Sequence, residues 1–282
     1  MRLNMKVLLA LLLLLPLAAC ETPGGDAQGR EPLSRPSAPS VNKGAPQQLD
    51  TETPTKERYM RLGKKAEKEG KAELAAVLYR AASLAETTDP APRAANAALL
   101  EKAREYSMAA AVFDQLAKET DGVPYMLAAA RNHLKAGNLM NARANYENVI
   151  VKEPSNWRGY NGLAVTHDLN GNHVAAADNY EIAYDKASKE SQDQILANWA
   201  LSLLLDSRAG EAVEKLESSA NSETNPRLKT RLGLAYALAG RPEDAKRMGL
   251  NRIPTPADLQ RELRGATPSI DQGDTISAPV KP

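Results

Sequence analysis

Histidine is the side chain most often used for metal binding and proton transfer near neutral pH, and the chain has three: His133, His167 and His173. His133 and His167 are 34 residues apart, which places them at equivalent positions of the repeats described below. Neighbouring helices of a stack lie about 8–10 Å apart, whereas a zinc–nitrogen bond is only about 2 Å long. Sharing one metal ion would strain the stack, so we expect both histidines to be partly buried in helix packing. His173 follows a turn and should be exposed.

The sequence motifs of common catalytic sites are missing from the 282 residues. There is no glycine-rich phosphate loop, GxSxG, HExxH or EF-hand pattern. The single cysteine, Cys20, excludes an intramolecular disulfide and a cysteine-based zinc site within the chain. The sequence therefore predicts a protein that is not an enzyme and that needs no metal, cofactor or small-molecule substrate. An enzyme that used His133 or His167 is the weakest alternative.

The N-terminus has the layout of a secretory signal peptide. Arg2 and Lys6 precede an unbroken apolar run over residues 7–15. This run is shorter than the roughly 20 residues that a membrane-spanning helix needs.

Cys20 stands at the end of the signal peptide, in the sequence Leu17-Ala18-Ala19-Cys20, which resembles the bacterial lipobox. The resemblance implies that residues 1–19 are removed and that Cys20 is acylated on its sulfur and its new amino group. Because Glu21 rather than aspartate follows, we expect a lipid anchor in the outer membrane, with the protein facing the periplasm. The alternative is an ordinary signal peptide in which Cys20 is incidental.

Composition divides the mature chain into a tether, a folded region and a tail. Lys and Arg number 36 against 35 Asp and Glu, and this near-balance argues against a nucleic-acid partner. Residues 20–55 are rich in Pro and Gly and should form a flexible tether that begins at the acylated cysteine. We expect the folded domain over residues 56–253, a terminal helix over 254–264 and an unstructured tail over 265–282.

The folded region contains six repeats of 33–36 residues, which four columns define. Small residues of each first helix are Gly63, Ala97, Ala130, Ala164, Ala200 and Gly233. Seven residues on, the turn positions are Gly70, Arg104, Gly137, Gly171, Ser207 and Gly240. Alanines of each second helix are Ala75, Ala109, Ala142, Ala176, Ala212 and Ala245. The residues four after them are Tyr79, Phe113, Tyr146, Tyr180, Leu216 and Gly249.

These columns predict antiparallel helix pairs in which small residues let the backbones approach and an aromatic ring fills the remaining gap. Glycine suits the turn because a left-handed residue ends the first helix. Leu62, Leu163 and Leu232 should be core residues of their first helices. Gly249 in the aromatic column predicts a short sixth second helix.

The pattern resembles the tetratricopeptide repeat, with units starting near residues 56, 90, 123, 157, 193 and 226. The clearest unit is NWRGYNGLAVTHDLNGNHVAAADNYEIAYDKAS. The resemblance implies an all-α fold, a right-handed superhelical solenoid of about six helical hairpins. In such an array we expect the terminal helix, with Leu259 and Leu263 on one face, to seal the exposed apolar end of the stack.

Repeats of this kind bind partners on the concave face, which their first helices line. Counting along the repeats places seven polar residues there: Arg131, Lys135, Arg158, Asn161, Asn198, Arg227 and Arg231. Asn198, Arg227 and Arg231 resemble part of the carboxylate clamp of some tetratricopeptide proteins, although Val165 stands where that clamp has asparagine. The alternative is that all seven are merely solvated polar residues.

The C-terminal half carries a narrower resemblance. NWRGYNGLAVTHDLNGNH, ANWALSLLLDSRAGEAVEKLE and TRLGLAYALAGRPEDAKRMGLNRIPTPADLQREL are similar to the TadD-like lipoproteins of tight-adherence (Flp) pilus systems. The resemblance implies a non-enzymatic scaffold whose partners are pilus or secretion components, including the secretin that it would help to localise or assemble. The alternative is a lipoprotein scaffold or chaperone in general cell-envelope biogenesis.

Overall fold

The computed structural model describes residues 55–266, and within that range every regular element is an α-helix. Residues 1–54 and 267–282, which include the predicted signal peptide, Cys20 and most of the tether and tail, lie outside the described residues. The helices are α1 Lys56–Lys68, α2 Ala72–Ala85, α3 Ala91–Lys102, α4 Tyr106–Thr120, α5 Val123–Lys135, α6 Leu139–Lys152, α7 Trp157–Leu169, α8 His173–Lys186, α9 Lys189–Leu205, α10 Ala209–Glu217, α11 Pro226–Leu238, α12 Pro242–Arg247 and α13 Pro256–Ala266.

The first twelve helices form six hairpins, from α1/α2 to α11/α12, and each hairpin packs against the next. The predicted all-α array of helical hairpins followed by a terminal helix is confirmed. None of the helices between residues 55 and 266 has the length and apolar character that crossing a membrane requires.

A left-handed residue ends the first helix of every hairpin. All six predicted turn positions have positive φ, including the two that are not glycine, Arg104 at 63° and Ser207 at 62°. In the fourth hairpin Gly171 has φ 78°, and the following Asn172 donates its N–H to the His167 carbonyl at 2.9 Å. The turn thereby satisfies backbone carbonyls that the helix end would otherwise leave without a partner.

The small and aromatic columns meet in the first hairpin as predicted, and in hairpins two to five the residues of both columns are buried. A Cβ atom on Gly63 would lie 2.5 Å from Cε1 of Tyr79, so only glycine fits beneath that ring. Leu163 and Leu232 are buried, but Leu62 is 36% exposed and the prediction for it was wrong. The physical reason is its position: among the described residues no hairpin precedes α1 to cover that side.

Within residues 55–266 the buried apolar residues form three clusters of very different size. The smallest joins the first hairpin to the second and contains Ala66, Ala75 and Tyr79. A second cluster runs through hairpins two and three around Phe113 and Leu116. The largest extends from the third hairpin to the sixth and includes residues of α13.

The C-terminal end of the array departs from the regular repeat. α12 has only six residues, and Gly249, in the aromatic column, has φ 93° and lies beyond the helix end. α9 begins at Lys189, four residues before the predicted start of its repeat, which gives the array its longest helix.

α13 does not seal the stack in the way the sequence suggested. It packs mainly against α9 and also against α7, rather than stacking on the last hairpin. The helix starts at Pro256 because Thr255 and Asp258 form a reciprocal cap, with N–H···O bonds of 2.8 Å from Thr255 and 3.3 Å from Asp258. Its apolar pair, Leu259 and Leu263, is buried in the largest cluster.

Candidate protein-binding groove

The groove is the face of the array that the first helices line from α5 to α11. The seven residues predicted there lie on four of these helices: Arg131 and Lys135 on α5, Arg158 and Asn161 on α7, Asn198 on α9, and Arg227 and Arg231 on α11. Four of them are buried, namely Arg131, Asn161, Asn198 and Arg231. The alternative of merely solvated polar residues therefore does not hold for these four.

The α5 cations form a buried ion cluster with a carboxylate that sequence reasoning missed. Arg131 donates from Nε and Nη2 to the two oxygens of Glu101 at 3.2 and 3.1 Å. Lys135 donates to the same carboxylate at 2.9 Å, and Asn132 Nδ2 adds a bond of 3.2 Å. Glu101 lies on α3, so the cluster ties the second hairpin to the third. Lys135 follows Glu101 by 34 residues, one repeat period, and this spacing of opposite charges was the signal available in the sequence.

The electrostatics of this cluster favour the charged carboxylate. Burial alone would raise the pKa of Glu101, but the hydrogen bonds and charges of Arg131 and Lys135 outweigh that effect and lower the pKa to about 2. Glu101 is therefore ionised at neutral pH, and its negative charge lies beside both Arg131 and Lys135. Lys135 also stands 5.7 Å from the centroid of the Tyr106 ring.

The α11 cations face α13. Arg231 donates from Nη1 to Glu262 Oε2 of α13 at 2.6 Å and from Nε to the Ala197 carbonyl of α9 at 3.3 Å. Burial and the neighbouring charge of Arg231 lower the pKa of Arg227, while Glu262 opposes that change. The residue predicted to grip a partner's carboxylate thus binds one that belongs to this chain.

Two of the predicted residues, Arg158 and Asn161, lie on α7 in the middle of the groove. Arg158 lies over the Trp157 ring, 4.6 Å from its centroid. Asn161 is fully buried, and neither polar atom of its amide meets a hydrogen-bond partner within residues 55–266. Burying an amide in this way costs free energy, because the hydrogen bonds that it would make to water are not replaced.

A second buried polar cluster centres on Asp168, at the end of α7. Its carboxylate accepts bonds from Tyr180 Oη at 2.9 Å and Ser202 Oγ at 2.7 Å, and its Oδ1 lies 2.8 Å from His173 Nδ1. Burial raises the pKa of Asp168 despite these bonds, and the bond to Asp168 raises the pKa of His173. The cluster joins α7, α8 and α9.

The Asp168 cluster has the residue types of a catalytic triad but not its order. A triad needs the histidine between serine and carboxylate, so that the imidazole can take the serine proton. Here Ser202 and His173 both bind the carboxylate, and the cluster fixes neighbouring helices instead. The expectation that His173 is exposed was wrong, because Asp168 holds its ring across the turn and leaves the side chain 15% exposed.

The other two histidines are packed between helices as expected. His133 is buried, with Nε2 2.7 Å from Asp114 Oδ2, and His167 is half-buried. Across residues 55–266 no three His, Cys, Asp or Glu side chains are arranged so that they could hold a metal ion.

Comparison with known proteins supports a fold of tetratricopeptide repeats. Residues 127–191, which span hairpins three and four, match the sequence profile of the tetratricopeptide repeat. No curated protein sequence matches the chain.

Solved structures with the same fold include two bacterial proteins. MamA from Desulfovibrio magneticus RS-1, residues 41 to the end, aligns with a TM-score of 0.52 at 18% identity, over 57% of this chain and 91% of that one. Pseudomonas aeruginosa pilF aligns with a TM-score of 0.56 at 15% identity, over 69% of this chain and 88% of that one. At these identities the likeness shows the fold alone.

Proposed function

We propose that this tetratricopeptide-repeat protein is a lipid-anchored scaffold that holds a component of the tight-adherence pilus machinery at the outer membrane. The observation that carries the scaffold role is the groove itself. Its first helices carry buried Arg and Asn side chains. One of these side chains, Arg231, already pairs with the carboxylate of Glu262 on α13. Such a surface suits recognition of a protein segment, for which buried Arg–carboxylate pairs provide directional binding.

The membrane anchor and the pilus partner are supported by the sequence. Leu17-Ala18-Ala19-Cys20 has the lipobox pattern, and the stretch from the sixth repeat into α13 has the most particular similarity to TadD-like lipoproteins. In the proposed mechanism acylated Cys20 fixes the protein to the membrane, residues 20–55 set its reach and the groove binds a pilus or secretion component, with the secretin as the leading candidate. Anchoring raises the local concentration of that component without any new contact.

Deletion of the gene tests the pilus role. We expect fewer secretin multimers in outer-membrane fractions and loss of surface pili, both restored by the wild-type gene. A chain with Cys20→Ser should be expressed without incorporating labelled palmitate and should restore neither. Normal multimers and normal piliation in the deletion strain would overturn the proposal, and undiminished palmitate labelling of the variant would overturn the anchor.

A charge reversal tests the groove separately from the anchor. Arg227→Glu combined with Arg231→Glu should weaken recovery of the secretion components that co-purify with the wild-type chain. Arg80→Glu combined with Arg143→Glu is the matched control, because it changes two exposed cations on second helices. Equal recovery with both double variants would remove the groove from the proposal.

A further inference from the structure

α13 occupies the groove in the way that a separate ligand would. Its main contacts are with α9 and α7, which are first helices, and it also bonds to Arg231 on a third first helix, α11. The chain reaches α13 from α12 through residues 248–255. In this connection Met248 and Leu250 pack against the largest cluster and Pro254 is buried, whereas Ile253 is 70% exposed.

The contacts of α13 define a short recognition pattern. Leu259 and Leu263 are four residues apart on one face of the helix, and both are buried against the array. Glu262 lies between them in sequence and pairs with buried Arg231 at 2.6 Å. Arg261 bonds to Asp258, and Asp258 also bonds to the α12–α13 connection. Arg264, near the end of the helix, lines a surface cavity together with Leu134 and Lys135 of α5. The two apolar anchors and the carboxylate of Glu262 therefore provide the central contacts between α13 and the array.

We propose that α13 is the intramolecular occupant of a helix-binding site, and that the site's external ligand is an amphipathic helix carrying the same Leu-x-x-Glu-Leu pattern. This inference rests on the proposed scaffold function and specifies the chemistry of the partner segment. A partner helix binds by displacing α13 from the groove. The displaced α13 remains linked to α12 by the eight residues 248–255. Because α13 is tethered, its effective concentration at the site is of the order of millimolar, and a partner must overcome that competition.

The test uses the full chain and its own helix as the probe. A fluorescently labelled peptide of residues 252–266 is titrated into the wild-type chain and into a Leu259→Glu, Leu263→Glu variant, whose α13 can no longer bury its anchors. We expect the peptide to bind the variant at least about tenfold more tightly than the wild type, since the competing helix has been removed. Leu84→Glu, at an exposed position on α2, is the matched control and should behave as wild type.

A charge swap identifies the site at which the peptide binds. A peptide with Glu262→Arg should lose affinity for the double variant and regain it when the chain also carries Arg231→Glu. Glu262 is 44% exposed, so Glu262→Arg in the full chain is a milder way to release α13 if the leucine variant loses helicity by circular dichroism.

Two results would overturn the inference. Equal affinity for wild type and variant would place the peptide outside the groove, and no binding to helical variants would make α13 an inseparable part of the fold. The assay contains no pilus component, so either result leaves the pilus proposal standing. Normal secretin multimers in the deletion strain would, conversely, leave this site standing.

Discussion

Glu101 holds two hairpins together through charge, and its replacement by glutamine should make that contribution measurable. A pKa of about 2 in place of the ordinary 4.5 corresponds to about 3 kcal/mol of preferential stabilisation of the charged form. Partial solvent contact of the carboxylate screens its charge, so we discount this value to about 2 kcal/mol. Glu101→Gln keeps the size of the side chain but removes the charge that compensates buried Arg131. We therefore expect the free energy of unfolding at about pH 7 to fall by about 2 kcal/mol.

The pH dependence of this loss has a definite sign. Because folding lowers the pKa of Glu101, its stabilisation is complete above the ordinary value of 4.5 and disappears as the pH falls towards about 2. Urea unfolding followed by far-ultraviolet circular dichroism, repeated at steps from about pH 7 to about pH 2.5, measures the difference between wild type and variant. We expect the two stabilities to converge as the solution becomes acidic.

Glu119 provides the matched control for this experiment. Its carboxylate also pairs with an arginine, Arg93, but its side chain is 40% exposed. Solvent screens exposed pairs, so Glu119→Gln should have a smaller effect at neutral pH. If Glu101→Gln and wild type kept a constant difference over the whole pH range, the charge-based account of the cluster would be refuted.

Four further substitutions test the hairpins and the Asp168 cluster. Arg104→Gly and Ser207→Gly should each raise the melting temperature slightly. Glycine removes left-handed strain of about 1–2 kcal/mol, which is more than the free energy lost through the larger backbone entropy of the unfolded chain. A lower melting temperature for both variants would contradict the role of the turn. Gly162→Ala should destabilise the chain by about 1–3 kcal/mol in urea, because the new Cβ would lie 2.2 Å from Cε1 of buried Tyr146, and unchanged stability would show that the ring moves freely. Tyr180→Phe removes one of three donors to Asp168 and should cost about 1–3 kcal/mol by the same measurement. Tyr160→Phe should cost less, because the hydroxyl of half-buried Tyr160 bonds a carbonyl at the surface.

The hairpins could be predicted from sequence because their determinants are local and recur. Arg104 and Ser207 adopt the left-handed turn although neither is glycine, since the small and aromatic columns on both sides fix where the first helix must end. The burial of Gly63 against Tyr79 follows from the same columns. The prediction for Leu62 was wrong because its exposure depends on what packs before α1, and within residues 55–266 no hairpin does so.

The groove was only partly predictable because its contacts join residues that are far apart in the sequence. Leu259 and Leu263 indicate an amphipathic helix, but they do not say which of two apolar surfaces, the stack end or the concave face, receives it. Likewise the sequence marked Arg131 and Arg231 as cations of the groove without identifying Glu101 and Glu262, which bind them. The Asp168 cluster was missed for the same reason, since Ser202 reaches it from the next hairpin.

The unequal size of the three apolar clusters has a mechanical consequence. A force applied at Thr55 loads the first hairpin before any other, and that hairpin is held by the smallest cluster, Ala66, Ala75 and Tyr79. In a linear array each unit is stabilised mainly by its neighbours, so rupture would proceed from this end while the cluster that includes α13 stays intact. The first hairpin therefore yields under tension first, and the groove is the last part of the array to give way.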